Sequence, residues 1–373
     1  MQKFFTPKTV AVIGVSKNKS KIGSIIFNNL QKFKTYAINP NEKTVQGKKA
    51  YRSVLDIKAV IDLAVIAIPS KFVNQAVEEC GKKGIKHIII VSSGFKEIGN
   101  DRLEHELYKI LEKYKIKCIG PNCLGVYDAH SGLDSLFLPT NQLTRPKKGS
   151  ISFISQSGAL GSALVDLAAY EDYGFAKFVS YGNATNLGET ELLEYLGKDK
   201  QTKVICMYVE AIKNGKKFMQ VAKRIKKPII VIKGGRTEKG SKATLSHTGS
   251  MAGSYEIYKG AFKQSGLIIA DSLQEMFHIA KLYSNLTSKG KRVQVITNGG
   301  GYGIITTDIL EENNIPLAQL SSKTKKRLTV LFPKICSINN PMDLVGGATD
   351  ERYKIAIDAC MRDSNIDFLL VIL

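Results

Sequence analysis

KTVAVIGVSKNKSKIG, residues 8–23, decides how the chain folds from its start. Residues 8–13 are largely apolar and predict a buried strand, and Gly14 follows that strand directly. A polar loop comes next, and Gly23 opens a helical pattern over residues 24–32. A buried strand that turns through glycine into a helix is typical of the first βα unit of a doubly wound parallel sheet.

The same alternation of strand and helix patterns continues along the chain. It predicts strands at 35–38, 62–68, 87–91 and 117–119, and helices at 72–82 and 102–114. Continuous apolar strands spaced by helices are found in parallel sheets whose two faces are both covered. We therefore predict an α/β fold, with a first domain over residues 1–128.

Two further α/β segments are predicted after a connector. Residues 129–148 show no clear periodicity and contain Pro139 and Pro146, which favours a linker or connecting loop. Strand and helix patterns then resume, and we place a second domain at residues 149–286. A third, at 290–373, ends in the apolar strand FLLVIL, so we expect this domain to be incomplete here or completed by another chain.

The composition narrows the class of protein. The chain of 373 residues has a net charge of +21, but its lysines are scattered, with neither interleaved aromatic residues nor zinc or helix-turn-helix spacing. Solvated helix faces or a phosphate-rich ligand account for this charge without nucleic acid. The six cysteines form no C-x-x-C pair, so no metal site or disulfide framework is implied. Without a signal-peptide pattern or a membrane-spanning apolar run, we expect a cytoplasmic protein.

The first βα turn argues against a nicotinamide dinucleotide. That class of cofactor requires G-x-G-x-x-G and an acid after the second strand. Here residues 14–17 read GVSK, and the second strand ends in NPN at 39–41, with Lys43 just beyond. Lysines in place of an acid suit a phosphorylated ribose. Later strand ends carry small, turn-forming and hydrogen-bonding residues, as expected where an extended ligand crosses a sheet edge: IPS (68–70), SSGF (92–95) and GPNC (120–123).

Three features of the second domain point to phosphate chemistry. His247 lies in the basic, glycine-rich stretch 233–253, where amides and cations would stabilise a phosphoryl group on its ring; an ordinary loop histidine is the alternative. Residues 155–158, SQSG, precede a helix and form a second candidate anion site, or a simple serine cap. Glu210 ends a strand and could hydrogen-bond a histidine ring, or be a solvated turn acid.

A set of ordered motifs resembles one known family. The motifs are VIGVSKNKSKIG (12–23), INPN (38–41), AIPSKFV (67–73), SSGFKEIG (92–99), GPNCLGV (120–126), FISQSGALG (153–161), YVEAIKNG (208–215) and SHTGSMAG (246–253). From residue 5 to 373 the chain resembles the alpha subunit, or alpha-like half, of ADP-forming acetyl-CoA synthetase. That family belongs to the NDP-forming acyl-CoA synthetase superfamily, which includes succinyl-CoA synthetase.

The resemblance implies a fold, a reaction and a partner. The fold would be a Rossmann-like CoA-binding domain followed by flavodoxin-like parallel-sheet domains. The reaction would be acyl-CoA + ADP + phosphate ⇌ carboxylate + ATP + CoA, through an acyl phosphate and a phosphohistidine. Coenzyme A would bind this chain, whereas ADP or ATP with Mg²⁺ would bind an ATP-grasp beta subunit or fused domain. A hetero-oligomer is implied, with no nucleic acid and no membrane as partner.

The resemblance also assigns roles to individual residues. His247 matches the phosphorylated position, and Glu210 matches the glutamate that supports its ring. The positions that hold phosphate at two helix starts are Ser155, Gln156, Ser157, Gly158, Gly249 and Ser250. The positions that match the CoA cradle are Gly14, Ser16, Lys17, Asn39, Pro40, Ile68, Ser93 and Asn122.

One departure from the family pattern bears on specificity. Residues 182–186 read GNATN, where the family usually has a G-N-K-x-D-like loop, so the acyl specificity is an open point. Two other classes of protein stay as alternatives. One is a CoA-binding regulatory or scaffold protein with the same fold and no catalysis; the other, a nicotinamide-dependent dehydrogenase, is disfavoured by the first βα turn.

Overall fold

The computed structural model describes residues 1–240, 254–285 and 290–373. The chain falls into two compact units, Met1–Asn285 and Leu286–Leu373. Among the described residues the first unit contains two seven-stranded sheets and the second a three-stranded sheet. The predicted α/β class is therefore confirmed, and each unit is described in turn.

The first sheet has the strand order of a Rossmann-like domain. Its strands are β1 (Thr9–Ile13), β2 (Lys34–Ile38), β3 (Thr44–Val45), β4 (Lys48–Tyr51), β5 (Leu63–Ile66), β6 (His87–Ile90) and β7 (Lys117–Ile119). They are ordered β3-β4-β2-β1-β5-β6-β7, and the short β3 alone runs antiparallel to its neighbour. Without β3, the parallel strands follow the doubly wound order 3-2-1-4-5-6, which reverses at β1.

Three helices cover this sheet: α1 (Ile22–Asn29), α2 (Val73–Lys83) and α3 (Asp101–Tyr114). The chain leaves α2 through Gly84 at φ 85°, a left-handed conformation that glycine adopts without strain. The Asn100 side chain accepts a hydrogen bond from the Leu103 amide and so caps the start of α3. Single-turn 3₁₀ helices lie at Gln2–Phe4, Val54–Asp56, Ser70–Phe72 and Lys96–Ile98.

The second sheet has a flavodoxin-like core. Its strands are β8 (Gly125–Asp128), β9 (Leu133–Asp134), β10 (Lys148–Ser155), β11 (Phe175–Ser180), β12 (Val204–Val209), β13 (Ile229–Lys233) and β14 (Ile268–Ile269). The order is β14-β13-β12-β10-β11-β8-β9. The five parallel strands among them follow the order 2-1-3-4-5, which reverses between β10 and β12. The described helices are α4 (Gly158–Tyr170), α5 (Glu189–Lys198), α6 (Gly215–Arg224), α7 (Tyr255–Gln264) and α8 (Leu273–Asn285).

The connector expected at residues 129–148 is partly ordered into the second sheet, so that prediction is wrong in part. It contributes β9, which pairs antiparallel with β8, and β8 pairs antiparallel with β11. The Arg145 guanidinium donates to the largely buried carboxylate of Asp134 at 2.8 Å. Pairing with β8 and the contact between Arg145 and Asp134 thus order part of a segment that has no local periodicity. The boundary between the first two predicted domains stays a prediction.

A buried lysine lies in the middle of the second sheet. Lys177, on β11, is 2% exposed, and its amine lies 3.3 Å from a carboxylate oxygen of Asp128 and 3.1 Å from one of Asp199. The same amine donates to Gln201 at 2.6 Å and lies 5.6 Å from the centre of the Phe5 ring. Two acids from different segments therefore converge on one desolvated cation.

The second unit contains a small parallel sheet. Its strands are β15 (Val293–Thr297), β16 (Met342–Asp343) and β17 (Phe368–Ile372), in the order β16-β15-β17. Its helices are α9 (Gly300–Glu312), α10 (Ser322–Leu331) and α11 (Asp350–Met361). The apolar segment at 368–373 forms the predicted strand, which pairs with β15 along its length.

The cysteines are structural core residues. All six are buried without disulfides, and burial raises the pKa of the Cys123 thiol to about 12. Thiols held in their protonated form are poor nucleophiles. In the described part of the chain no helix is both long and apolar enough to cross a bilayer.

The buried lysine gives a stability prediction. Lys177→Met should lower the free energy of unfolding by about 3–5 kcal/mol, because it leaves Asp128 and Asp199 without their buried cation. Lys198→Met is the matched control, since Lys198 forms only an exposed pair with Glu194, and should cost about 0.3–0.5 kcal/mol. Urea unfolding monitored by circular dichroism measures both, and equal small losses would contradict the assignment.

Candidate functional site

A pocket of about 750 Å³ lies at the strand-order reversal of the first sheet. Its lining comes from the segments that follow β1, β2, β5 and β6 at their carboxyl ends. Ligands of doubly wound proteins bind at such a switch point. The volume lies within the range of small-molecule and cofactor sites.

Most of the predicted cofactor residues line this pocket. Those that the structure brings together here are Gly14, Ser16, Asn39, Pro40, Ile68 and Ser93. Two predicted residues lie elsewhere. The Lys17 amine pairs with the Glu42 carboxylate at 2.7 Å, and Asn122 lines a second cavity described below.

Two glycines allow the first βα turn to close tightly. Gly14 has φ 105°, and a Cβ atom on it would lie 2.2 Å from the carbonyl oxygen of Ala67. A Cβ atom on Gly23 would lie 2.3 Å from the Gly14 carbonyl oxygen. The helix α1 therefore starts against the strand turn, and its first amide groups face the pocket region.

Polar groups at the strand tips hold the pocket wall together. The Asn39 side-chain amide donates to the Val15 carbonyl at 2.7 Å. The Ser92 hydroxyl donates to the Ile68 carbonyl at 2.6 Å, and the Ile68 amide lies 3.2 Å from that hydroxyl oxygen. These contacts fix neighbouring strand ends relative to one another, so the wall is formed before any ligand arrives.

The pocket also contains two cations that the sequence analysis did not assign, Lys21 and Arg52. Lys21 lies immediately before α1, and Arg52 follows β4. Both side chains are exposed to solvent, so they are accessible to the phosphate groups of a ligand that binds from solution. Arg52 escaped prediction because β4 reads KKAY, which has no strong strand pattern.

A second cavity, of about 30 Å³, lies at the strand-order reversal of the second sheet. The residues that line it are Lys96, Asn122, Gln156, Gly182, Asn183, Ala184, Glu189, Glu210, Ala211 and Lys213. Gln156, Glu210 and Asn122 are thus brought together, although they come from three different predicted motifs. Such convergence of charged and polar groups at a switch point is a feature of binding and catalytic sites.

Gln156 fastens the strand end that carries Glu210. Its side-chain oxygen accepts hydrogen bonds from the amides of Glu210, at 2.8 Å, and Ala211, at 3.1 Å. The Tyr181 hydroxyl lies 3.3 Å from the same oxygen. The carboxamide oxygen of this predicted phosphate-binding residue is therefore occupied by the protein, and its amide nitrogen is the end available for a ligand.

The serines at the start of α4 have local roles. The Ser155 hydroxyl is buried and donates to the Ser157 carbonyl at 2.7 Å. The Ser157 side chain caps the helix by accepting from the Leu160 amide at 3.3 Å. What this segment can offer an anion is the set of first-turn amide groups of α4, beginning at Gly158, which have no acceptor within the helix.

Glu210 is buried, with 6% exposure, among ionisable neighbours. Burial raises the pKa of Tyr208 to about 12, and the negative charge of Glu210 adds to this effect. Burial likewise raises the pKa of Tyr181 well above its usual range. Lys233, at the end of the adjacent strand, is buried too, and burial lowers its pKa.

The loop 182–186, which departs from the family pattern, joins the two sheets. The Asn183 side-chain amide donates to the carboxylates of Glu97, at 2.7 Å, and Glu104, at 2.8 Å. The Thr185 hydroxyl donates to the other Glu104 oxygen at 2.9 Å. The side chains of Asn183 and Thr185 thus bind the first sheet's helix α3 and its preceding turn, and Asn186 binds the backbone of Ile116 and Cys118.

Two further ionisable residues of the second cavity were not assigned from the sequence. The Lys213 amine donates to the carbonyls of Ala184, at 2.5 Å, and Asn183, at 3.3 Å; burial and then the charge of Lys96 lower its pKa. Burial raises the pKa of Glu189, the first residue of α5. Lys213 lies within the motif YVEAIKNG (208–215), which gave it no role, and Glu189 lies outside the quoted motifs, so only the three-dimensional structure reveals their position in the cavity.

Three predicted site residues, His247, Gly249 and Ser250, lie outside the described residues. Their assignment rests on the sequence. Within the ranges that the structure does describe, no group of three or more His, Cys, Asp or Glu side chains is arranged to hold a metal ion.

The two strand orders and their switch-point pockets define an α/β protein with a Rossmann-like ligand-binding domain and flavodoxin-like parallel sheets. Comparison with known families agrees with this class. Residues 8–129 match the CoA binding domain family. Residues 148–283 match the succinyl-CoA ligase like flavodoxin domain family.

Full-length relatives define the family more narrowly. The alpha subunit of acetate–CoA ligase (ADP-forming) II from Pyrococcus furiosus is 43% identical, over 99% of this chain and 81% of that subunit. Acetate–CoA ligase (ADP-forming) I from Archaeoglobus fulgidus is 41% identical over 100% of this chain, which spans 55% of that enzyme. Acetyl-coenzyme A synthetase 1 from Ca. Korarchaeum cryptofilum, solved with phosphate and ADP, superposes with a TM-score of 0.93 at 41% identity, covering 99% of this chain and 81% of that one. The chain belongs to the ADP-forming acetyl-CoA synthetase family of NDP-forming acyl-CoA ligases and corresponds to its alpha subunits.

The first pocket gives a ligand-binding prediction. Coenzyme A should raise the thermal unfolding midpoint, and NAD should not. At a concentration of one hundred times its Kd, coenzyme A should stabilise the folded chain by about 2.7 kcal/mol. Gly14→Ala should abolish the shift, because its Cβ atom would collide with the Ala67 carbonyl at the pocket wall. Differential scanning fluorimetry measures both effects.

Gly84→Ala is the matched control for that variant. Gly84 also has a positive φ, of 85°, but no atom lies within 4 Å of the Cβ position. The Gly84 variant should therefore lose stability while it keeps the full response to coenzyme A. A response to NAD, or an equal response of both variants to coenzyme A, would count against the pocket.

Proposed function

We propose that this chain carries out the acyl half of an ADP-forming acyl-CoA synthetase reaction. The net reaction is acyl-CoA + ADP + phosphate ⇌ carboxylate + ATP + CoA. The observation that carries the proposal is the second cavity, in which Glu210 and Gln156 meet Asn122 from the end of the first sheet. A cofactor held at the first sheet would reach this cavity at the junction of the two sheets.

The proposed chemistry has two steps on this chain. An oxygen of inorganic phosphate attacks the thioester carbon, the carbon–sulfur bond breaks, and CoA leaves as its thiolate with an acyl phosphate as product. A ring nitrogen of His247 then attacks the phosphorus, the bond between phosphorus and the acyl oxygen breaks, and the carboxylate leaves. A histidine is suited to this because its ring is near neutral pKa and accepts and releases phosphate reversibly.

Glu210 would orient the His247 ring and stabilise its positive charge during the transfer. Support for this role comes from its burial at 6% exposure and from the two backbone hydrogen bonds by which Gln156 fixes its strand end. The first-turn amides of α4 would stabilise the negative charge of the phosphate, which is the part that oriented dipoles play in other phosphate sites.

The nucleotide step would take place on a partner. ADP with Mg²⁺ would bind an ATP-grasp beta subunit or fused domain and accept the phosphoryl group from His247. The alpha-subunit relatives imply such a partner, so we propose a hetero-oligomer acting in the cytoplasm. Acetate is the acyl product named for those relatives, and we propose a small carboxylate of this kind here.

Phosphorylation of His247 is the central test. Incubation of the chain with acetyl-CoA and labelled phosphate should give an acid-labile, base-stable label, because phosphohistidine has these stabilities. Peptide mass spectrometry should place it on His247. His247→Ala should remove the label and His278→Ala, on helix α8, should retain it. Label that survives in His247→Ala would place the chemistry elsewhere, and a chain that binds CoA without any label would favour the regulatory alternative.

Glu210→Gln tests the supporting acid. Loss of the negative charge should lower the rate of phosphohistidine formation by about 100-fold, the scale of a positioned acid–base group. The affinity for coenzyme A should change little, since Glu210 does not line the first pocket. Rapid-quench labelling gives the rate and calorimetry gives the affinity. Parallel losses of both would make Glu210 a structural residue.

A further inference from the structure

The proposed reaction gives no role to Lys233, the last residue of β13. Its side chain is 2% exposed, and it pairs in register with Val209, the residue before Glu210. Its amine donates to the carbonyl oxygen of Gly234 and lies 4.7 Å from the centre of the Tyr258 ring. A desolvated cation therefore lies beside the strand end that carries the buried acid.

The environment of Lys233 differs from that of the other fully buried lysine, Lys177. The Lys177 amine has the carboxylates of Asp128 and Asp199 as ion-pair partners. Over the described ranges, no carboxylate lies within ion-pair distance of the Lys233 amine. Burying an ammonium group is costly unless negative charge nearby compensates for it. The acid whose charge acts on Lys233 is Glu210, which raises the lysine pKa against the lowering effect of burial.

The backbone that follows Lys233 lies close to the side chains of Tyr208 and Glu210. A Cβ atom on Gly234 would lie 2.6 Å from the Tyr208 hydroxyl and 3.4 Å from Cγ of Glu210. The Gly234 amide donates to the Val209 carbonyl at 2.9 Å. The turn after Lys233 thus packs directly on the Glu210 side chain.

Tyr258 connects the same lysine to the segment that follows Glu210. Its ring contacts the Lys233 amine, and its hydroxyl accepts a hydrogen bond from the Ile212 amide at 3.1 Å. The attraction between a cation and an aromatic ring is stronger when both groups are desolvated. Lys233 therefore acts on Glu210 through its charge. Through the Tyr258 ring it also contacts the residue that binds the backbone just after Glu210.

We infer that Lys233 is a positioning residue that acts through Glu210. Its positive charge stabilises the negative charge of the buried carboxylate, and its seat on Tyr258 holds the segment that carries that carboxylate. The inference rests on the proposed function, since it assigns Lys233 a part in the step that Glu210 supports. Lys233 would touch neither substrate nor coenzyme A, because it lines neither cavity among the described residues.

Lys233→Met tests the role with nearly the same side-chain volume. The rate of phosphohistidine formation should fall about tenfold, a size expected for neighbouring residues whose effects are coupled. The KM for acetyl-CoA and the thermal shift with coenzyme A should stay unchanged, and Lys233→Arg should restore part of the rate. A raised KM for acetyl-CoA with an unchanged rate of phosphohistidine formation would overturn the inference. So would a rate that Lys233→Arg does not restore in part.

Lys227→Met is the matched control at the opposite end of β13. The Lys227 amine also binds backbone carbonyls, those of Leu196 and Asp199, and burial also lowers its pKa. It lies at the amino end of the strand, away from Glu210. Its loss should leave the transfer rate within about twofold, because distant sites contribute independently. An equal fall in both variants would show a general loss of β13 packing and overturn the inference.

A double-mutant cycle separates this inference from the proposed function. If Lys233 acts through Glu210, Glu210→Gln with Lys233→Met should transfer phosphate no more slowly than Glu210→Gln alone. Multiplied losses would overturn the inference and leave the proposed function standing. A Glu210→Gln variant with full activity would instead remove the role of Glu210 in the proposed function. If Lys233→Met does not fold, Lys233→Gln replaces it in the cycle, and its transfer rates are interpreted in the same way.

Discussion

The close approach of loop 182–186 to the strand ends of the first sheet is the constraint on which the second cavity depends. A Cβ atom on Gly182 would lie 2.2 Å from the Pro121 carbonyl oxygen, so no other residue fits there. The amides of Asn183 and Thr185 donate to the carbonyls of Pro121 and Gly120. The loop after β11 in the second sheet is therefore fixed against the loop after β7 in the first, within one compact unit.

The charges at this junction are held in place by hydrogen bonds from the protein itself. Glu104 is 8% exposed and accepts from the side chains of Asn183 and Thr185, and Glu97 accepts from the same asparagine. Hydrogen bonds to charged groups contribute about 1.5–3 kcal/mol each, enough to offset the cost of burying the acids. The result is a preorganised wall that does not need a ligand to assemble it. The GNATN sequence thus has a structural role that the family pattern did not disclose.

The sequence predicts the strand–helix alternation well because continuous apolar strands are a local signal. The bounds of β7 agree with prediction, whereas the short strands β4 and β9 are missed because KKAY and LD carry no strand pattern and become strands only by pairing with β2 and β8. The same distinction applies to the site. The positions of Gly14 and Glu210 can be predicted, because Gly14 belongs to a motif and Glu210 ends a strand. The hydrogen bond from the Glu210 amide to the Gln156 side chain, by contrast, joins two strands, and Lys213 reaches its cavity from a loop. Such contacts depend on tertiary register, which no local pattern encodes.

The buried thiols have a practical consequence for work on this protein. Every cysteine is buried, and burial raises the pKa of Cys123 and Cys360 to about 12, so the reactive thiolate is scarce in the folded chain. Alkylating reagents would then modify these cysteines only when the core unfolds, and would leave the folded protein unmodified. A single cysteine introduced on the surface could be coupled to a fluorophore with the six natural ones still present. One such cysteine on each compact unit would allow the distance between the two labels to be followed by spectroscopy.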